Sequence, residues 1–198
     1  MPAAERCFNL LLGLSILSWA VLGWTTTAEM RPLLVRGVIA LLHVVVGTLI
    51  LCRTRVAQHG SWASCLAGVP ALLTAGWALQ AASPSWPLPA QMVFAAGGVL
   101  TAVSFLWLGR CFAILPAVRG TITGGPFRIV RHPAYLGEMV MIAACWMTVS
   151  GASQIGPLAA AIPFVVLRIL AEERVLLTSA AYAEYVQQVR WRLIPLLW

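Results

Sequence analysis

The 198-residue sequence contains no lysine and no aspartate, and charged residues make up only 10% of it. Soluble domains carry roughly 25% charged residues, so this scarcity excludes a water-soluble enzyme. No C-x-x-C pair occurs among the five cysteines Cys7, Cys52, Cys65, Cys111 and Cys145, which argues against a disulfide framework or a zinc site, and no metal is expected. G-x-G-x-x-G is absent too, which removes the dinucleotide fingerprint of doubly wound folds. Apolar residues stand in the place of all these: 61% of the chain is hydrophobic, and the mean hydropathy is +0.89. All thirteen basic residues are Arg and all six acidic ones Glu, for a net charge of +7. In a soluble protein that charge would suggest nucleic acid. Here it reads as Arg holding loops against an anionic leaflet, and no nucleic-acid partner is expected.

Apolar runs recur at close to the ~20 residues a helix needs to cross about 30 Å of hydrocarbon. They lie near Phe8 to Trp24, Leu33 to Leu51, Trp62 to Ala82, Ala90 to Leu108, Leu136 to Gly151 and Ile155 to Ala171. The expected fold is therefore all-α, a polytopic membrane protein of about six transmembrane helices. Four spans fall in residues 1–107, and a hairpin falls in the C-terminal region 108–198. Pro32, Pro84, Pro87 and Pro89 sit near helix ends, while Pro70 and Pro163 lie inside spans. Placing the N-terminus in the cytoplasm puts eleven Arg on the cytoplasmic side and only Arg31 and Arg36 on the other. The positive-inside rule then predicts a multi-pass protein with both termini cytoplasmic, the bilayer being its first partner. A bacterial inner membrane is the expected location. Any chemistry belongs on the cytoplasmic face, where the segments 109–135 and 172–198 lie.

Within the first of these segments, Gly124-Gly125-Pro126 marks a turn and Pro133 disfavours helix at His132, so the fifth span should begin near Ala134. His132 and Tyr135 then stand at a helix entrance, where free N–H groups favour an anionic ligand group. At the end of the sixth span, Arg168 and Glu172 share a helical face, and Glu138 lies one turn into the fifth. Ionisable residues at that depth are functional candidates. The competing expectation is an interfacial Arg168–Glu172 ion pair and a Glu138 that snorkels. His43, in the middle of the second span without an acidic neighbour in sequence, is read as hydrogen-bonding a backbone carbonyl or a neighbouring helix. His59 is read as a loop residue, and the Trp residues near span ends are read as interfacial anchors.

Arg131-His132-Pro133-Ala134-Tyr135-Leu136-Gly137 follows Gly125-Pro126-Phe127 and precedes Arg168-Ile-Leu-Ala-Glu172-Glu173. Tyr182-Ala-Glu-Tyr185 and Val189-Arg-Trp-Arg192-Leu-Ile-Pro195 complete the series. In order and spacing these pieces resemble the isoprenylcysteine carboxyl methyltransferase family, in the wider group that includes phospholipid N-methyltransferases. The resemblance covers about residues 108–198; the preceding residues are similar only as hydrophobic helices. It implies an integral membrane enzyme that binds S-adenosyl-L-methionine in a pocket of C-terminal helices and cytoplasmic loops. By the same resemblance, Arg119, Gly120, Thr121, Ile122, Phe127, His132, Pro133, Ala134, Tyr135 and Glu172 would contact the cofactor. Arg168 would face the methyl acceptor as the catalytic residue, with Glu138 beside it for substrate. Tyr182 and Tyr185 would close the pocket from below. Arg119 stands where eukaryotic members have His, Phe127 where Tyr is usual, and Ser179-Ala180-Ala181-Tyr182 in place of a longer segment containing Phe-Gly. The acceptor is expected to be lipophilic, a prenylated cysteine carboxylate or a related lipid or small apolar molecule. O-, N- and S-methylation all stay open, as does the oligomeric state. Two alternatives remain: an NADPH-dependent membrane reductase of sterol-reductase type, since such reductases share an Arg-His-Pro-x-Tyr-x-Gly stretch, and a non-catalytic membrane partner protein.

Overall fold

The computed structural model describes residues 3–27, 29–149 and 155–198. Seven α-helices account for most of these residues: α1 (Ala3–Thr26), α2 (Leu33–Cys52), α3 (Trp62–Ala81), α4 (Leu88–Leu108), α5 (Pro133–Trp146), α6 (Ile155–Leu176) and α7 (Ala180–Gln188). Proline shapes several boundaries as expected. Pro32 and Pro87 precede α2 and α4, Pro89 lies in the first turn of α4, and Pro133 opens α5, where a missing N–H costs nothing. Pro70 and Pro163 lie inside α3 and α6.

The helical membrane architecture agrees with the about six spans expected, although the helices differ in length. Four helices, α1 to α4, are long and apolar enough to cross a membrane among the described residues. At 14 residues, α5 extends only about 21 Å, short of the hydrocarbon thickness. α6 has 22 residues, an apolar stretch through Ala171 interrupted only by Arg168, with Glu172, Glu173 and Arg174 following it. The expected end of the fifth span at Gly151 lies outside the described residues. His59 also differs from expectation. With Gln58 it forms a two-residue strand β1 (Gln58–His59), which pairs antiparallel with β2 (Ala117–Val118), Gln58 opposite Val118 and His59 opposite Ala117. This small pair ties the α2–α3 connection to the α4–α5 connection on one side of the bundle, and Thr54 N–H donating to Arg110 O at 2.8 Å extends the tie.

α1 packs along α2, α2 also along α4, α4 along α5, and α3 along α6. Buried apolar side chains form four clusters, two of which involve α2. One cluster, around Val38, Phe94, Trp86, Ile142 and Ala161, joins α2, α4, α5 and α6. The other, around Val45, Ile50 and Phe112, joins the far end of α2 to the loop after α4. The α4–α5 contact is close because both partners are glycine where they cross. A Cβ on Gly97 would sit 2.7 Å from the Gly137 carbonyl oxygen and 2.9 Å from the Met141 nitrogen, which is backbone that cannot swing aside. Helix pairs in lipid gain their stability from such approach rather than from expelling water. Thr101 Oγ1 lies across the same contact, donating to Gly97 O at 2.9 Å and 3.3 Å from Ala134 O.

Gly97→Ala is therefore expected to lower the unfolding free energy of the detergent-solubilised protein by about 1–3 kcal/mol through overpacking. Gly37→Ala, where nothing lies within 4 Å of the added Cβ, is expected to be neutral or slightly stabilising. Thermal unfolding of the two variants side by side checks both.

Candidate active site

The approach to α5 is held from outside the helix. Arg131 N–H donates to Trp191 O and His132 N–H to Arg192 O, each at 2.9 Å, so the C-terminal tail runs along the Arg-His-Pro turn as a backbone partner. Just before it, residues Gly125–Arg128 make one tight 3-10 turn that buries Phe127. Tyr185 on α7 donates its hydroxyl to Phe127 O at 2.6 Å, and Tyr182, Tyr185 and Val189 cover the Phe127 ring. The short terminal helix is thus fastened over the 125–128 turn.

Between these elements and the membrane helices lies a cavity of about 510 Å³. Its ends differ in chemistry. At the end nearest α7 the wall consists of Gly120, Thr121, Ile122, Phe127, Glu172, Tyr182 and Tyr185. At the membrane end Ile39, Leu42, Val46 of α2, Leu72, Ala75, Leu79 of α3 and Ile142 of α5 leave almost no polar surface except His43. His132, Ala134, Tyr135, Glu138 and Arg168 line it too.

Ten of the predicted site residues therefore share one cavity. Two do not reach it. The Arg119 guanidinium turns away to the Thr54 carbonyl and stands 3.8 Å from Glu5, so it braces α1 and the α2–α3 connection instead. Pro133 is fully buried at the first position of α5, where it fixes the turn. The anticipated Arg168–Glu172 ion pair is not formed. Arg168 Nη2 donates to Ile114 O at 3.1 Å, and its guanidinium carbon lies 4.9 Å from the centroid of the Tyr135 ring. The Tyr135 hydroxyl in turn donates to Glu172. Arg168 is only 7% exposed and has no carboxylate within 4 Å among the described residues. It is a buried cation with a π-face on one side and open cavity on another.

His132 holds a different place from the one its position at a helix entrance suggested. Its Nε2 donates to Glu173 Oε1 at 3.2 Å, within a buried cluster that sequence reasoning quoted but gave no role. The same oxygen lies 2.9 Å from Arg131 Nε, and Glu173 Oε2 accepts from Arg192 Nε at 2.7 Å. One carboxylate on α6 thus gathers three cationic or donor side chains, two from the turn before α5 and one from the tail. Burial alone would raise the Glu173 carboxyl, but the hydrogen bonds from His132 and Arg192 and the Arg131 charge outweigh it and hold the group down to about 2. The adjacency of Glu172 and Glu173 was the only sequence signal: consecutive helical positions point in different directions, so one of the two faces the cavity and the other the tail.

Tyr182 was likewise expected only to pack. Its hydroxyl is buried, the residue being 5% exposed, and has no hydrogen-bond partner among the described residues, while its side chain lines the end of the cavity nearest α7. Burial first, then the neighbouring Glu173 charge, push its ionisation well above the ordinary phenol range, so the oxygen keeps its proton and offers a donor.

Comparison with known proteins agrees with this layout. Residues 90–178 match the family described as "Isoprenylcysteine carboxyl methyltransferase (ICMT) family". The matched stretch begins inside α4, earlier than the motifs alone indicated, and stops before α7. No curated protein and no solved structure matches the chain. Over this stretch the chain is similar to that family, and its four apolar helices suit a membrane methyltransferase of that type.

The Glu173 cluster makes a stability prediction with a definite sign. Because the folded carboxyl is held below its unfolded value, its contribution is complete above the ordinary carboxylate range, near pH 4.5, and fades as pH falls toward 2. Glu173→Gln is expected to cost about 3–5 kcal/mol near neutrality by leaving Arg131 and Arg192 without their partner, and to flatten the loss of stability on acidification. Unfolding midpoints of both proteins in detergent across the acid range measure the two effects.

Proposed function

We propose that the chain transfers the methyl group of S-adenosyl-L-methionine to a lipophilic acceptor carrying an acidic group, such as the carboxylate of a prenylated cysteine or a related lipid. The observation that carries this reading is the cavity itself, which joins a polar cytoplasmic end to an apolar membrane end with the unpaired Arg168 facing it. A lipid-soluble acid and a polar, charged cofactor have opposite solvation needs, and a single cavity with two chemistries serves both.

The residues present suit the cofactor. The unpartnered Tyr182 hydroxyl, the Glu172 carboxylate and the backbone around Gly120 and Thr121 offer donors and acceptors at the cytoplasmic end. The N–H groups of Ala134 and Tyr135, in the first turn of α5, favour an anionic group. Bound there, the cofactor supplies an electrophilic methyl group on a sulfonium. Displacement at that carbon depends on alignment and dryness more than on proton transfer, so few titratable groups are needed. Arg168 would hold the acceptor's anionic oxygens in line, its planar fork matching two oxygens at once. Its stack on Tyr135 fixes that fork, and Glu172, through its hydrogen bond from Tyr135, fixes the ring. The walls of α2, α3 and α5 exclude water. His132 acts here as a positioning residue, locked on Glu173 to shape the entrance of α5. Both termini would be cytoplasmic and the site at the inner face, as the Arg distribution indicates.

Calorimetric titration of the detergent-solubilised protein with S-adenosylhomocysteine should give saturable binding, with NADPH as the control that does not bind. NADPH binding alone would favour the reductase alternative, and binding of neither by folded protein would leave a non-catalytic partner. Tyr182→Phe, which removes only the unpartnered hydroxyl, is expected to weaken S-adenosylhomocysteine by about 0.5–1.5 kcal/mol, a three- to tenfold rise in Kd.

Arg168→Lys keeps the charge but loses the fork and the stack. The expected result is a fall in kcat/KM of about a hundredfold or more with the affinity for S-adenosylhomocysteine nearly intact. Radiolabelled methyl uptake into a lipophilic acid measures the first quantity, and calorimetry the second. An unaltered rate would remove Arg168 from the acceptor site.

A further inference from the structure

The part of the cavity wall that α2 and α3 supply is apolar apart from one side chain, His43, with Glu138 of α5 also lining the cavity. Its Nδ1 lies 2.8 Å from Ile39 O, one turn back on α2. A carbonyl oxygen can only accept, so Nδ1 carries the proton of this bond. In the neutral ring the second nitrogen, Nε2, is then an acceptor with its lone pair outward. The bond to Ile39 is the one side-chain hydrogen bond of His43 among the described residues, and the side chain lines the cavity. The outward-facing positions of α2 at this level, Leu41, Val44 and Thr48, are exposed, whereas His43 is half-buried on the cavity side with Leu42 and Val46. The expectation of a backbone carbonyl partner thus accounts for only one of its two nitrogens.

Its depth follows from the helix packing. Val38 rests against Gly98, and Thr54 beyond the end of α2 bonds Arg110 beyond the end of α4, so the two helices run in the same direction. His43, five residues past Val38, therefore stands level with the stretch of α4 just after Thr101, five residues past Gly98 being Val103. Thr101 reaches the carbonyl of Ala134 at the start of α5, next to Tyr135, on which Arg168 stacks. His43 accordingly faces the cavity from α2 at about the depth of Arg168, where an acceptor held by its acidic group begins its apolar chain.

We propose that His43 is a specificity-determining residue that accepts a hydrogen bond, at Nε2, from a hydroxyl or amide N–H on the chain of the methyl acceptor. The preferred acceptor is then a lipophilic acid bearing one such donor a short distance from its acidic group, and not a plain hydrocarbon acid. When an apolar chain fills the cavity, an imidazole lone pair left without a donor costs free energy that a donor on that chain relieves. A ligand without one leaves that cost in place, so a hydrogen-bonding wall discriminates more sharply than an apolar one. The inference rests on the methyltransferase reading, because Arg168 and the cofactor set where the acidic group lies.

The test uses the full-length protein in detergent, loaded with S-adenosylhomocysteine, and calorimetric binding of palmitic acid against a series of palmitic acids hydroxylated at successive carbons. One or two neighbouring members of the series should bind about three- to tenfold more tightly than palmitic acid, the effect of one hydrogen bond. His43→Leu should bring that ratio close to one, and His43→Gln, which retains an acceptor oxygen, should restore part of it. If no hydroxylated member is preferred, if none of the acids binds, or if the preference survives in His43→Leu, the inference is overturned. Failure of S-adenosylhomocysteine to bind the unaltered protein is a separate result, which overturns the methyltransferase reading and this inference with it.

Discussion

The Glu173 carboxylate is the constraint on which the site depends. It stands on α6 yet is bonded to the turn before α5, through Arg131 and His132, and to the C-terminal tail, through Arg192. Three chain segments distant in sequence are fixed relative to one another by two oxygen atoms. A buried carboxylate of this kind contributes little as an isolated ion pair, since desolvation offsets much of the attraction. What it supplies is registry. With Glu173 committed outward, the neighbouring Glu172 is turned to the cavity, and with the tail held against residues 131 and 132, α7 can bring Tyr182 and Tyr185 over Phe127. Removing one partner would loosen the floor of the cavity and the entrance of α5 together.

A second consequence concerns how charge is distributed. The neighbouring acids Glu172 and Glu173 behave differently because one is neutralised by Arg131 and Arg192 while the other accepts from a phenol. Arg168, one turn from Glu172, is left to the Tyr135 face and the Ile114 carbonyl. A guanidinium tolerates such a setting better than an ammonium, because its charge is spread over a plane that stacks on aromatic rings and is less strongly hydrated. The result is a cation that remains available. An Arg168–Glu172 pair, which their spacing on the helix would allow, would have cancelled the charge the cavity presents.

Much of this was legible in the sequence, and what was not has physical causes. Four apolar helices follow directly from the hydrophobic runs, since a run of that length in a chain with so few charges has no other stable home. Order and spacing of the Arg-His-Pro, Arg168 and Glu172 pieces brought together ten residues that the fold places around one cavity. The length of α5 was misjudged because hydropathy does not register where a helix stops packing: its apolar continuation past Trp146 is not helical through Val149. The family resemblance assigned Arg119 and His132 to the cofactor, and the structure gives each a protein partner as well, because a long or two-sided side chain chooses its partners in three dimensions. Glu5 and the Thr54 carbonyl claim the one, Glu173 the other. No spacing rule links Glu173 to Arg192 or Glu5 to Arg119, because those pairs exist only once the helices have packed.

The N-terminal helices, which the family match leaves out up to residue 90, then acquire a role that their composition alone does not suggest. The polar end of the cavity is built almost wholly from residues beyond 110, while α2 and α3 contribute Ile39, Leu42, Val46, Leu72, Ala75 and Leu79 to its apolar wall. α2 and α3 each pack on a different partner, α2 on α1 and α4, α3 on α6 and α5, and have little contact with each other, so the wall they form is split along its length. A split wall in a bilayer is covered by lipid chains and not by water, which keeps the membrane end dry without closing it to a lipophilic molecule. On the proposed reading this geometry divides the labour: the C-terminal region would hold the methyl group, and the first helices would select the hydrophobic chain beside it. Changes confined to α2 and α3 would then alter the acceptor without disturbing the Glu173 registry on which the rest of the site stands.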